Sequence, residues 1–529
     1  MTELEGPDTT AAADERAVTG TRLVRNTLFN ASGIVSGMVV TLLLTPFMLH
    51  RLGGESFGIW ALALTLTASA GYLSLTDLGL QQAAVRFMTD ARREGDSEAL
   101  ASLFSATLVV FVAVAVPVAA LMVGVAPALA RLFLHGALGH NAALQHAAVV
   151  TFAIVGGQIV FDLPSFAYRA VLESAQRFAS IRLLELGRAL TFAGVTVAVL
   201  LLGRGVVAVA VASICASAAA LAGYGIVVVR SDSSAHFRPS AIRRSQMRSL
   251  FRFSGKLFYL RIVSVGYRQM DKVIIGIVLS ITAVATYEVA NRIQAALLLI
   301  TGLGGSALLP AAVLSQLDKS RVRDLFLRAT SYSVALFLPL TIAVFVYAKM
   351  LVVAWVGPGQ VGATDAVRLF AVWVALGTFD SVAPTMLVAA GRLKPIIVFS
   401  TIWLAGNLAL SIVLVHVWGI TGVVAGTVIS YVPLLVAYTV TCMRVFEITT
   451  GEWFSKVLRP NVLGPVVQVV LSIATLGLLE RLPPKLGVLV GTSCGVTLSV
   501  AIFVIFGIRS GERRYLQEVL LRAIGRGTP

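Results

Sequence analysis

Two stretches, FDLPSFAYRAVLESAQR (161–177) and FDSVAPTMLVAAGR (379–392), open on the same dipeptide and end on an arginine, with a short gap between them. Two further pairs keep the same order along the chain: LFNASGIVSG (28–37) with LFYLRIVSVG (257–266), and LLGRGVVAVAVAS (201–213) with VWGITGVVAGTVIS (417–430). Each separation is about 215 to 229 residues. Self-similarity at one spacing marks a duplicated architecture. A single match carries little information in so apolar an alphabet, but three in the same order carry more.

What fills the spacing is membrane. The 529 residues are 57% hydrophobic and 13% charged, with a mean hydropathy of +0.88, where soluble domains carry roughly 25% charged residues. About 20 apolar residues cross the hydrocarbon core, and on that scale fourteen spans are predicted: 27–49, 57–80, 101–127, 147–168, 183–203, 206–229, 254–279, 284–309, 329–349, 365–390, 396–416, 420–441, 461–480 and 486–508. The repeat distance corresponds to six spans. An even number makes both copies enter the membrane in the same direction, related by an axis along its normal. The expected fold is therefore an all-α integral membrane protein of about fourteen transmembrane helices. It has an N-lobe (27–229), a C-lobe (254–441), two extra helices (442–508), and cytoplasmic segments at 1–26, 230–253 and 509–529.

The basic residues set the orientation. With the N-terminus cytoplasmic, the cytoplasmic segments hold 30 of the 42 Lys and Arg, the opposite loops hold seven, and five lie inside spans. That positive-inside bias places both termini in the cytoplasm. It also explains most of the +16 net charge as topology and attraction to anionic membrane lipids, not as a nucleic-acid surface. The polar, acidic start has no signal-peptide pattern. Cys215, Cys442 and Cys494 have neither metal nor redox spacing. The basic segments 240–253 and 513–526 mix cations with apolar residues three and four apart and read as helices lying in the interface.

The cations inside spans ask for a reason. In VSVGYRQMDKVIIG (263–276) and its flank, Arg261, Arg268 and Lys272 are spaced seven and four apart, on one helical face. Asp271 offsets them in part. Arg268 lies roughly 18 Å along the helix from Lys256, near mid-membrane, where a lipid-facing cation costs at least ~2.5–3.5 kcal/mol. Span eight carries Glu288 and Arg292, four apart and able to pair. Internal salt bridges between spans seven and eight are one explanation, and a basic cavity for an anionic substrate is the other. Asp77, Asp162 and Asp380 are carboxylates inside other spans. Each is a candidate coupling site, or the cap of a broken helix where Asp77 precedes Gly79 and Asp162 precedes Pro164. Glu185 and Arg188, three apart, read as a local pair. No glycine-rich phosphate loop, metal cluster or nucleophile motif is present, so neither an enzyme nor a cofactor is expected.

The run TPFMLHRLGGESFGIWALALTLTASAGYLSLTDLGLQQAAVRFM (45–88) supplies Pro46, Arg51-Leu-Gly, Phe57-Gly58, Asp77-Leu-Gly-Leu and Arg86. It resembles the opening of bacterial polysaccharide-export flippases of the multidrug/oligosaccharidyl-lipid/polysaccharide exporter superfamily. LESAQRF and AAGRLKP are similar to that family's turn before spans five and eleven. The serine-arginine-rich first span and the aspartate-alanine-phenylalanine element of lipid II flippases are absent, and multidrug antiporters usually stop at twelve spans. The resemblance implies translocation of an undecaprenyl-diphosphate-linked oligosaccharide across the bacterial cytoplasmic membrane by alternating access, for exopolysaccharide synthesis, with a polymerase and glycosyltransferases as partners. Arg261, Arg268, Lys272 and Arg292 would hold the diphosphate, with Arg25 at the cytoplasmic mouth. Asp77, Asp162, Asp271, Glu288 and Asp380 would serve coupling or gating. Two other readings are a cation-coupled drug or metabolite antiporter and a non-transporting scaffold of a polysaccharide-synthesis complex.

Overall fold

The computed structural model describes residues 9–135, 141–232, 234–242, 244–305 and 319–507. Arg25 and the basic segment 513–526 lie outside the residues whose side chains are described. Among the described residues there is helix and no strand. Ten helical segments are long and apolar enough to cross a membrane. They reconcile with fourteen spans in a simple way. Leu393–Val445 covers two spans, Val35–Leu66 covers span one and the first part of span two, and spans seven and eight fall outside the ten while carrying the charges at 261–292. The chain is a multi-pass membrane protein.

The chain divides into two compact units. The first comprises residues 1–52, 63–132 and 136–265. It holds most of α1 (Thr9–Ala63), α2 (Leu80–Glu94), α3 (Ser97–Phe133), α4 (Ala142–Gly157), α5 (Ile159–Ser174), α6 (Phe178–Leu201), α7 (Val206–Ser231) and the beginning of α8 (Arg244–Val278). Its core joins α2, α3, α5 and α7 through Met88, Phe104, Phe111, Leu163, Ala167 and Val228. Phe104 meets Tyr168 edge-on at 5.2 Å.

The second unit comprises residues 53–62, 133–135 and 266–529. It holds the end of α8, α9 (Ile281–Gly305), α10 (Lys319–Val346), α11 (Ala348–Val356), α12 (Thr364–Asp380), α13 (Ala383–Ala389), α14 (Leu393–Val445), α15 (Leu463–Leu479) and α16 (Pro484–Ile502). Residues 53–62 join it because α1 bends at Gly53, whose φ of 75° suits glycine, and because Gly58 lies against the start of α9. A Cβ on Gly58 would stand 2.1 Å from the Ile281 carbonyl oxygen. This placement departs from the lobe boundaries read off the sequence.

Two further departures are local. Span two is a broken helix: α-helix ends at Ala63, short 3₁₀ turns cover Leu64–Leu66 and Tyr72–Asp77, and α2 starts at Leu80. Leu78 and Gly79 there are both left-handed, with φ of 51° and 75°. The basic segment 244–253 is not a separate interfacial helix but the first turns of α8. Gly255 alone does not break a helix, so the linker runs straight into span seven.

The duplicated turns have the same hydrogen bonds. At the end of α5 the amides of Ala175, Gln176 and Arg177 bond to the carbonyls of Val171, Glu173 and Leu172. At the end of α13 the amides of Ala390, Gly391 and Arg392 bond to those of Met386, Val388 and Leu387. Gln176 and Gly391, with φ of 57° and 71°, hold the left-handed position in each, as helix C-termini require. Left-handed glycines recur at Gly203 and Gly419, φ 73° and 59°, at the tight junctions between spans five and six and between eleven and twelve.

Candidate functional site

In the first unit the intramembrane charges form an open network. Asp77 is fully buried. Its Oδ1 accepts the Gln81 amide at 2.9 Å, at the start of α2, and the Arg261 guanidinium stands 3.9 Å from Oδ2. Asp162 accepts from Gln158 Nε2 at 2.9 Å and pairs with Arg188 at 3.4 Å, while Ser213 donates to Gln158 at 2.7 Å. Arg188 therefore does not pair with Glu185, as its spacing predicts. Glu185 is taken instead by Arg169 at 2.7 Å and by Arg182, and Arg169 also holds Glu173 at 2.7 Å. A side chain three residues away lost to one on a neighbouring helix, because α5 and α6 pack side by side. Arg188 is 33% exposed and Glu185 30%, so water shares these charges.

The second unit is drier. Glu288 accepts from Lys272 at 2.8 Å and from Arg292 at 3.0 Å, with Asn291 at 3.3 Å. Their side chains are only 4%, 6% and 9% exposed for Glu288, Lys272 and Arg292. The Arg292 guanidinium also lies 5.7 Å from the centre of the buried Phe57 ring, a cation–π contact. Asp271, one residue before Lys272, is buried and accepts the Tyr287 hydroxyl at 3.0 Å. The positive stripe of span seven is thus divided. Arg261 faces Asp77, Lys272 is buried under Glu288, and Arg268 is exposed with no ion-pair partner among the described residues. Two cations share one carboxylate in the buried group, which leaves it net positive beside Asp271.

Asp380, at the end of α12, is buried and accepts the Tyr431 hydroxyl at 2.7 Å. Around Tyr431 the aromatic rings converge. Trp373 and Trp403 lie stacked, 6.3 Å apart and 19° from parallel. Tyr431 meets both edge-on at 5.9 and 5.7 Å, and Tyr267 of α8 lies 5.1 Å from Trp403. Phe370 connects Trp373 to Tyr287, at 6.4 and 5.8 Å. Both indole N–H groups, on Trp373 and Trp403, are buried without a hydrogen-bond partner among the described residues. A buried donor left so costs about 1–3 kcal/mol.

Sequence reasoning missed this cluster and the polar partners Gln158, Tyr287 and Tyr431. One signal was available: Trp373 precedes Asp380 by seven residues, two helical turns on the same face. Nothing in spacing ties Trp403 or Tyr431, 30 and 58 residues on from Trp373, to that face. A cavity of about 860 Å³ in the second unit lies elsewhere, lined by Arg323, Asp324, Gly391, Glu447, Glu452 and Lys456 among others. Its three acids outnumber its two cations, and Arg323 and Lys456 are both held by Glu452. It does not suit an anion.

The quoted N-terminal motif acquires causes from this geometry. Gly58 is required by the approach of Ile281, Phe57 receives Arg292, and Asp77-Leu-Gly-Leu is a left-handed turn whose carboxylate caps α2. Among curated proteins none matches the chain. Solved structures do. A lipid II flippase MurJ in an inward closed conformation superposes with a TM-score of 0.69 at 12% identity, covering 94% of this chain and 100% of that one. An inward-facing multidrug resistance MATE transporter gives 0.60 at 16% identity, over 80% and 96%. The MATE transporter DinF-BH in complex with R6G gives 0.57 at 16%, over 82% and 96%. At these identities the likeness is one of fold. Residues 49–359 match the model described as polysaccharide biosynthesis protein, and since that is more than half of its length, the chain belongs to the polysaccharide biosynthesis protein family.

Proposed function

We propose that this protein flips an undecaprenyl-diphosphate-linked oligosaccharide from the inner to the outer leaflet of the bacterial cytoplasmic membrane by alternating access. The observation that carries the reading is Arg268: a cation on α8, the helix we read as span seven, exposed, with no acid to hold it among the described residues. Such a residue is stable in a bilayer only where it meets water, protein or an anion. A diphosphate is the anion that the family's chemistry supplies, and a guanidinium binds its oxygens in pairs. Lys272 and Arg292, fixed on Glu288, add a net positive charge along the same helix pair without being free to move. Arg261 and Arg25 complete the proposed set, Arg25 at the cytoplasmic mouth.

The buried carboxyl groups of Asp271 and Asp380 have tyrosine hydroxyls as neighbours and are proposed for coupling or gating, with Asp77, Asp162 and Glu288 as further candidates. A polymerase and glycosyltransferases are the proposed partners. Arg268→Ala should abolish polymer export, at least tenfold in surface polysaccharide, while the protein still inserts at normal levels. Arg268→Lys should keep part of it. Full export by the alanine variant would sink the assignment.

A further inference from the structure

We propose that the aromatic cluster of the second unit is a carbohydrate subsite, in which Trp403, Trp373 and Tyr267 hold the sugar that adjoins the diphosphate. The inference rests on the flippase reading above and deepens it.

A cluster made only for packing has no use for indole nitrogen. Buried Trp N–H groups ordinarily find an acceptor, yet here two of them, on α12 and α14, lack one among the described residues. Both side chains are 8% exposed, so bulk water does not supply the missing acceptor. Apolar side chains could pack there without an unsatisfied donor. The donors therefore point to an acceptor-bearing ligand.

A cation is the competing occupant, since four aromatic rings and a carboxyl group resemble a cage for an ammonium group. The orphaned groups argue against it. An N–H presents positive charge, which repels a cation and attracts a hydroxyl or carbonyl oxygen. Sugars combine the required features: hydroxyls that accept and donate, and C–H faces that lie on aromatic rings. Asp380, held by Tyr431, can accept from a hydroxyl on the same ligand.

Position supports the assignment. Tyr267 and Tyr431 are half-buried and form the rim of the cluster. Gly266 lets α8 come close to α14: a Cβ there would meet Leu404 at 3.3 Å. The residue after Tyr267 is the exposed Arg268. In a lipid-linked oligosaccharide the first sugar is bonded to the diphosphate, so its subsite must adjoin the cation that holds the phosphates. On α8 the aromatic ring and the guanidinium are consecutive.

The test uses the full-length protein in nanodiscs, with undecaprenyl diphosphate either bare or carrying glucose, galactose or N-acetylglucosamine, and with tetraphenylphosphonium as a lipophilic cation. Trp403→Phe and Trp373→Phe keep the ring and remove the donor, and thermal melting reports whether each folds. A packing role predicts variants that lose some stability to the smaller ring and are unchanged in binding. The proposal predicts that at least one sugar-bearing lipid binds tighter than the bare diphosphate, and that each variant weakens it by about three- to tenfold while bare diphosphate binding holds. Equal binding of sugar-bearing and bare lipids, or a sugar preference that survives both substitutions, overturns the subsite and leaves the flippase reading standing. Failure of every diphosphate to bind overturns the reading itself. Tetraphenylphosphonium binding that is lost in the variants would instead assign the cluster to cations.

Discussion

Asp162 and Asp380 occupy matching places in the duplicated sequence, each ahead of a turn with the same hydrogen bonds, yet their surroundings differ in kind. Asp162 faces a guanidinium and a glutamine amide. Asp380 faces a tyrosine hydroxyl amid tryptophans. The contrast extends through each unit. The arginines and glutamates paired around α5 and α6 in the first unit are roughly a fifth to a third exposed, with Asp162 itself buried under Arg188, whereas every member of the Glu288 group in the second is nearly dry. A duplicated scaffold thus carries a hydrated ionic network in one copy and a buried, aromatic one in the other. Charge should be cheap to remove from the first and expensive to remove from the second.

The largest test of that contrast is Glu288→Gln. It leaves Lys272 and Arg292 facing each other in a dry site, and removing one partner from a buried ion group costs about 3–5 kcal/mol. We expect a large fall in melting temperature in nanodiscs, or failure to accumulate in the membrane. Lys272→Met should lose less than half as much, because it leaves Arg292 and Glu288 as a balanced pair. Equal losses from the two substitutions would show that charge balance does not govern the site.

Next comes Gly58→Ala. The added methyl would meet a backbone carbonyl, not a flexible side chain, so only movement of α9 relieves it. Overpacking of this sort costs about 1–3 kcal/mol. Because the strain falls on the helix that carries Glu288 and Arg292, we expect lower thermal stability and lower export together. A variant with parental stability would separate the motif glycine from the buried charges.

Most of the architecture was legible in the sequence because membranes impose length and hydropathy on every span, and because an internal repeat needs only similarity to itself. The breaks were less so. Span two reads as one apolar run from 57 to 80, and its interruption depends on left-handed Leu78 and Gly79, where Leu78 gives no warning. The site was legible as residue types and not as partnerships. Spacing placed Arg292 with Glu288, four apart on one helix, but could not foresee that Lys272 would reach the same carboxylate from α8. It assigned Arg188 to Glu185, and helix packing gave it to Asp162. Trp403 and Tyr431 acquire meaning only once the two arms of α14, bent at Gly419, bring them together.

The smallest effects bear most directly on the paired aspartates. Tyr431→Phe removes the only side-chain hydroxyl bonded to Asp380 among the described residues, and the carboxyl group is left buried beside apolar rings. The expected loss is about 1–3 kcal/mol. Arg188→Met strips Asp162 of its cation, but Gln158 still donates and Ser213 still fixes that amide, while a third of the arginine already lies open to solvent. Its loss should be no more than about 1 kcal/mol and should shrink further in high salt, since exposed pairs are screened. The Tyr431→Phe loss should not respond to salt, because a neutral donor in a dry site has no ionic atmosphere to screen. Melting curves of both variants at low and high ionic strength separate the cases. If the arginine variant proves the costlier, or if both follow salt alike, hydration does not distinguish the two copies, and the Asp380 site must be wetter than its packing implies.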